Sequence, residues 1–147
     1  CRASSSMPLA SPMVNIDGVP YLDGGVADSV PIRHALKSGN AKIIVVLTRN
    51  PGYRKKPVSK GTAKLYRKAY KSYPKMAACA VHRNRMYNRT MELVEKLEAE
   101  GRIYVIRPMV PTVSRLERDY DKLMSFYEHG YALMKKEYAN LLRYMEE

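Results

Sequence analysis

The stretch "AKIIVVLT", Ala41 to Thr48, constrains the fold of this chain more than any other. It is an unbroken, β-branched apolar run closed by Asn50-Pro51-Gly52, and runs of this kind belong to strands covered on both faces in a parallel sheet. A second such run, "RIYVIRP", follows at Arg102 to Pro108. Parallel strands cannot be joined by a tight turn and need a crossover, usually helical. The residues between the two runs fit that need. Thr62 to Tyr73 places Leu65, Ala69, Tyr70 and Tyr73 at helical spacing, with basic residues on the remaining faces. Lys75 to Glu100 reads as a longer helix, with Met76, Cys79, Met86, Leu93 and Leu97 near one stripe and Gly101 as its stop. Strand and helix in this order describe an α/β protein.

Upstream, "SPMVNIDGVPYL" reads as a β-hairpin. Its two apolar runs flank Asp17-Gly18, the dipeptide favoured in a type I′ turn, and Pro20 confines its strand to an edge. "SVPIRHALKSG" looks like a short helix with Asp28 as N-cap and Gly39 as stop. From Arg115 onward, Leu116, Tyr120, Leu123, Tyr127, Tyr131, Met134, Tyr138, Leu141 and Met145 recur at three- and four-residue intervals, so a helix is expected to the end, with a break at Gly130 left open.

A chain of 147 residues with 46% hydrophobic composition can close one domain-sized core. Cys1 and Cys79 make no disulfide framework, which points to a reduced compartment, and a cytoplasmic location is expected. Cys79 and His82 stand one helical turn apart without a third ligand, and Cys79 is expected in the core. His34 and His129 are scattered and read as surface or packing residues, so neither metal nor cofactor is expected. The opening Cys1-Arg2 looks like the interior of a longer protein.

The net charge of +12 is regional. Ser29 to Met91 holds sixteen Lys and Arg and no Asp or Glu, so the remaining ten basic and fourteen acidic residues leave the rest of the chain at −4. One reading is a solvated surface. The other is a face for anionic partners, with Lys55, Lys56, Lys60, Lys64, Lys68 and Lys71 as contacts to an anionic lipid surface and nucleic acid as the lesser alternative.

One motif suggests chemistry. In "YLDGGVADSVPI", Asp23 ends an apolar run and is followed by Gly24 and Gly25, which permit positive φ or a close approach. Such a carboxylate can cap the next element, shape a turn or serve as a general base. The blocks "CRASSSMPLASP", "VPYLDGGVADSVPI" and "KIIVVLT" together resemble the bacterial branch of the patatin-like phospholipase family. That family carries, in this order, an Ala-Ser-rich helix ending in Pro, a hairpin, an Asp-Gly-Gly/Ala motif, a Val-Pro helix start and a buried strand. The resemblance covers residues 1 to about 56 and continues more loosely through "RIYVIRPMVPTVSRLERDYDKLMSFYEHGY".

The resemblance implies a three-layer fold with a mostly parallel sheet and a helical C-terminal extension. It implies ester hydrolysis by a Ser-Asp dyad, with Asp23 as the base, lipid or another carboxylic ester as the substrate, and the serine in a Gly-x-Ser-x-Gly elbow. No Gly-x-Ser-x-Gly occurs in the chain, and Ser4, Ser5 and Ser6 lack flanking glycines, so the nucleophile is expected outside these residues. Residues 1–60 are then the C-terminal part of a catalytic domain, and 61–147 a basic helical region with one further strand and C-terminal helices. Cut through a shared sheet, the chain is expected to oligomerise or to stay bound to its N-terminal portion. The rival reading is a membrane-binding or oligomerisation module with vestigial catalysis, peripheral at an anionic membrane.

Overall fold

The computed structural model describes residues 1–114 and 116–146. The elements are β1 (Val14–Ile16), β2 (Val19–Tyr21), α1 (Ile32–Lys37), β3 (Ile44–Val46), α2 (Lys60–Ala69), α3 (Pro74–Ala99), β4 (Tyr104–Ile106) and α4 (Tyr120–Glu146). The described residues form a mixed α/β structure with two two-stranded sheets, an antiparallel β1–β2 pair and a parallel β3–β4 pair. The chain divides into two compact units, Cys1–Ile32 with Arg54–Glu92 and Arg33–Tyr53 with Leu93–Glu147.

In the first unit the hairpin forms where Asp17-Gly18 places it. Both turn residues take positive φ, 51° and 80°, as a type I′ turn requires, and the Asn15 side chain accepts the Gly18 N–H at 2.9 Å. The Ala-Ser-rich start is a single 3-10 turn, Ala3–Ser5. α2 opens at Ser59, whose hydroxyl accepts the Thr62 N–H at 3.1 Å, a side-chain N-cap. Its buried side is Ala63 and Tyr70, with Tyr66 half-buried between them, and the Tyr70 hydroxyl accepts the Leu9 N–H at 2.9 Å. On α3 the buried residues of this unit are Ala77, Ala80, Tyr87, Thr90 and Met91. This stripe lies beside the expected one: Cys79 and Met86 are exposed, and the alanines at 77 and 80 take the inward positions. Asn88 ties the approach to α2, exchanging hydrogen bonds with both backbone groups of Lys55, at 2.8 and 3.0 Å.

In the second unit β3 and β4 pair in register, Ile44 with Tyr104 and Val46 with Ile106. β3 is shorter than its apolar run, and its burial alternates. Ile43 and Val45 are buried, whereas Ile44 is 40% and Val46 70% exposed. One face is therefore covered among the described residues, not two. Val94 and Leu97 of α3 are buried with Ile43, Val45 and Ile103 in this unit's core, and Arg107 pairs with Glu98.

α4 begins at Tyr120, later than its periodicity suggested, and runs through Gly130 without a break. Leu116 stands in the preceding turn, and Arg115 lies outside the described residues. The helix starts where Asp119 accepts the N–H groups of Asp121 and Lys122 at 3.1 and 3.2 Å; the bond from Lys122 is the main cause that holds the Asp119 carboxyl below its ordinary pKa. Two tyrosines tether it to the sheet. Tyr144 accepts the Ile43 N–H and reaches the Arg102 carbonyl, each at 3.2 Å, and Tyr104 donates to the Glu137 carboxylate at 2.6 Å.

Burial first, and then the Glu137 bond, pushes the Tyr104 hydroxyl up from 10.0 to about 12, while the same bond holds Glu137 below its ordinary value. A raised folded pKa gives stability that is complete below the unfolded value and lost as pH rises through the folded one. The melting-temperature deficit of Tyr104→Phe relative to the unaltered chain should therefore be constant from pH 7 to about 9 and shrink toward pH 12. Equal melting temperatures at every pH would show that the tether carries no stability.

Candidate active site

Asp23 lies two residues past β2, where the chain turns into a 3-10 segment, Gly24–Val26. Its backbone N–H donates to the Ser6 carbonyl at 2.9 Å, and its own carbonyl accepts the Val26 N–H at 3.0 Å. The carboxylate caps the turn: Oδ1 accepts the Gly25 N–H at 2.8 Å. The group is thus held by bonds on three of its atoms while its side chain is half-buried. Preorganisation of this kind suits a base that must meet its target without rearranging.

Of the two roles left open for the glycines, positive φ and close approach, the structure uses the second, at Gly25. Neither takes positive φ, and a Cβ on Gly24 would meet nothing within 4 Å, whereas a Cβ on Gly25 would stand 3.3 Å from Asp23 Oδ1. A side chain on Gly25 would crowd the carboxylate against its own turn. Downstream, Asp28 accepts the Val30 N–H at 3.2 Å in a local turn and does not cap α1, which begins at Ile32. The hydroxyls of Ser5 and Ser6 both donate to the Arg2 carbonyl at 3.0 Å, and that of Ser29 to Gly25 at 2.8 Å.

The six lysines do not share one setting. Lys60, Lys64 and Lys68 are exposed on α2, and Lys71 follows its C-cap. Lys55 precedes the helix and is half-buried, its ammonium 3.8 Å from the Tyr87 ring centroid, and Lys56 accepts from Asn84 through its carbonyl at 2.8 Å. At 3.6 residues per turn, Lys60, Lys64, Arg67 and Lys68 fall within one sector of about 100°, flanking the buried Ala63–Tyr70 side. The sequence reading missed Leu65. It is 51% exposed, about 60° beyond the edge of that sector, although its spacing from Ala69 suggested an inward position.

His129 accepts the Met109 N–H at 3.2 Å and so fastens the segment after β4 to α4. Among the described residues no group of three His, Cys, Asp or Glu is arranged to hold a metal ion, and no helix is long and apolar enough to cross a membrane.

Comparison with known proteins finds two families along the chain. The patatin-like phospholipase family model matches residues 1–36, the stretch with the hairpin, the Asp23 turn and the start of α1. A second family model, described as a domain of unknown function (DUF6363), matches residues 73–146, half of the chain and the whole of α3, β4 and α4. The chain belongs to the DUF6363 family. The DUF6363 chain is also 38% identical over 48 residues to the uncharacterized protein YjjU of Escherichia coli (strain K12), a match covering 32% of this chain and 13% of that relative. It therefore spans a small part of that relative's length.

The Asp23 turn makes a stability prediction. Gly24→Ala should be neutral or raise stability by up to about 1 kcal/mol through the unfolded state. Gly25→Ala should lower the melting temperature, since its methyl group displaces the carboxylate from the Gly25 N–H. Equal effects of the two substitutions in thermal denaturation would contradict the close-approach account.

Proposed function

We propose that this chain carries the general base of a patatin-like acyl hydrolase, Asp23, and works with a serine outside these residues to cleave carboxylic esters of lipids. One observation supports this above the others: within the stretch that matches the patatin-like phospholipase model stands a carboxylate fixed by its own turn, with Oδ1 bonded to Gly25. In the reaction the serine oxygen attacks the ester carbonyl as its proton passes to Asp23. The protonated acid then gives that proton to the departing alkoxide, leaving an acyl-enzyme, and water repeats the sequence to release the fatty acid. No metal or cofactor is required on this reading.

The same reading places β3 and β4 in a larger parallel sheet of a three-layer fold. The exposed Ile44 and Val46 would then be covered by the N-terminal portion, and residues 61–147 would form the helical extension. Asp23→Asn in the full-length protein keeps the shape of the side chain and removes its basicity, so turnover of a short p-nitrophenyl ester should fall ~10²- to 10⁴-fold. Near-normal turnover with an unchanged melting temperature would refute the assignment.

A second reading concerns location, and Leu65 favours it: an exposed apolar side chain beside a four-cation sector is the pattern of a helix that rests on an anionic bilayer. On this reading the protein is cytoplasmic and peripheral at the membrane. The chain should co-sediment with vesicles rich in anionic lipid and release steeply as salt rises. Leu65→Ser should weaken binding at low salt without changing the salt dependence. Equal binding to neutral vesicles, or none to either, would leave α2 as a solvated face.

A further inference from the structure

The longest helix has a face that neither the proposed chemistry nor the tethers use. α4 holds on to its own unit through Tyr144, Glu137 and His129, and none of its described residues is buried. About a third of a turn away runs a second row: Tyr120, Met124, Tyr127, Tyr131, Met134, Tyr138, Leu141 and Met145. Its spacing alternates four and three residues throughout, a strict heptad seam with Met124, Tyr131, Tyr138 and Met145 in one position and Tyr120, Tyr127, Met134 and Leu141 in the other. The four tyrosines of this row are 56–70% exposed. An apolar seam some 40 Å long is far beyond scattered surface residues and marks an interaction surface.

The seam also carries its own socket. Tyr131, Met134, Lys135 and Tyr138 line a shallow hollow of about 210 Å³ on the helix surface. These are residues i, i+3, i+4 and i+7, the four that make the hole for a knob in coiled-coil packing. The spacing says what the knob is. When two copies of α4 run antiparallel about a twofold axis at Ala132 and Leu133, Tyr131 of each copy falls opposite Met134 of the other and enters this hollow. The remaining layers then pair Tyr127 with Tyr138, Met124 with Leu141 and Tyr120 with Met145.

Charge selects this orientation. In the antiparallel pair Glu128 of one copy faces Lys135 of the other, twice, along the border of the seam. In a parallel pair Glu128 would face Leu123, and Lys135 would face Gly130, so neither charge would find an opposite one. We infer that α4 is the interface of an antiparallel homodimer, with Tyr131 as the central anchor and the Glu128–Lys135 pair as the element that sets direction. Four tyrosines, each offering roughly 150–250 Å² and more than half exposed, supply on the order of half of the ~800 Å² per partner that a stable interface buries, and the methionines and Leu141 supply the rest. The inference is independent of the role of Asp23.

Sedimentation velocity on the 147-residue chain tests it, since the chain has a mass of 16.8 kDa and a dimer twice that. Dimers are expected at tens of micromolar. Tyr131→Glu should raise the dissociation constant at least about tenfold, because it buries a charge at the centre of the interface. Glu128→Lys and Lys135→Glu should each weaken the dimer, and the double exchange should restore it. Val46→Lys, on the exposed face of β3, should leave it unchanged, which separates this interface from association through the sheet. A spin label at Lys122→Cys, with Cys1 and Cys79 replaced by Ser, should report a separation near 30 Å for antiparallel helices. A monomer at 100 μM, a dimer indifferent to Tyr131→Glu, failure of the double exchange to restore association, or a label separation under 20 Å would each overturn the proposal. Circular dichroism establishes that the variants keep their helix content.

Discussion

The parallel pairing of β3 with β4 is the constraint on which the C-terminal half depends. Two strands that run the same way cannot be closed by a turn, so the chain must leave at Val46, travel back and return at Tyr104. α2 and α3 are that return path. The cost of so long a crossover is met by what it buries: Val94 and Leu97, both almost wholly inaccessible, lie near the end of α3, just before the chain re-enters the sheet. Asn50 then fastens the exit of β3 to the exit of β4, donating to the carbonyls of Pro108 and Val110 at 3.1 and 2.8 Å. Polar tethers at Tyr104 and Tyr144 hold α4 against the same pair, which is why a helix without a buried residue keeps its place.

Much of this was legible from residue order. Asp17-Gly18 located the hairpin because few dipeptides accept two positive φ values in succession. Gly101, at φ 67°, ended α3 for the same steric reason, since a residue with a Cβ would resist that conformation. Pattern failed where the answer depended on neighbours. "AKIIVVLT" reads the same whether one face or two are covered, and the alternation of Ile43, Ile44, Val45 and Val46 became visible only once the packing against this strand was known. Leu65 and Cys79 illustrate the same limit on helices: Ala63, Ala77 and Ala80 hold the inward positions while these larger apolar side chains stay exposed. The start of α4 at Asp119 had a readable signal, an N-cap side chain, that the longer apolar period overrode.

At the candidate site, the sequence identified the carboxylate and not its mechanics. Asp-Gly-Gly suggested either a positive φ or a close approach, and the structure takes the second, with Gly25 letting Oδ1 reach an N–H within its own turn. The turn thereby holds the carboxylate in place through Oδ1. The patatin-like phospholipase model matches the start of the chain, with the Asp23 turn, and the DUF6363 family covers its second half, with the open seam of α4; the cationic sector of α2 lies between the two matches.

The most direct measurement of the central claim is to locate the nucleophile. A fluorophosphonate reacts with an activated serine and leaves a stable adduct that peptide mass spectrometry can place. In the full-length protein the account requires a single adduct, on a serine outside these 147 residues within a Gly-x-Ser-x-Gly sequence, formed only while Asp23 is intact. An adduct on Ser4, Ser5 or Ser6, or labelling at an undiminished rate after Asp23→Asn, would contradict it.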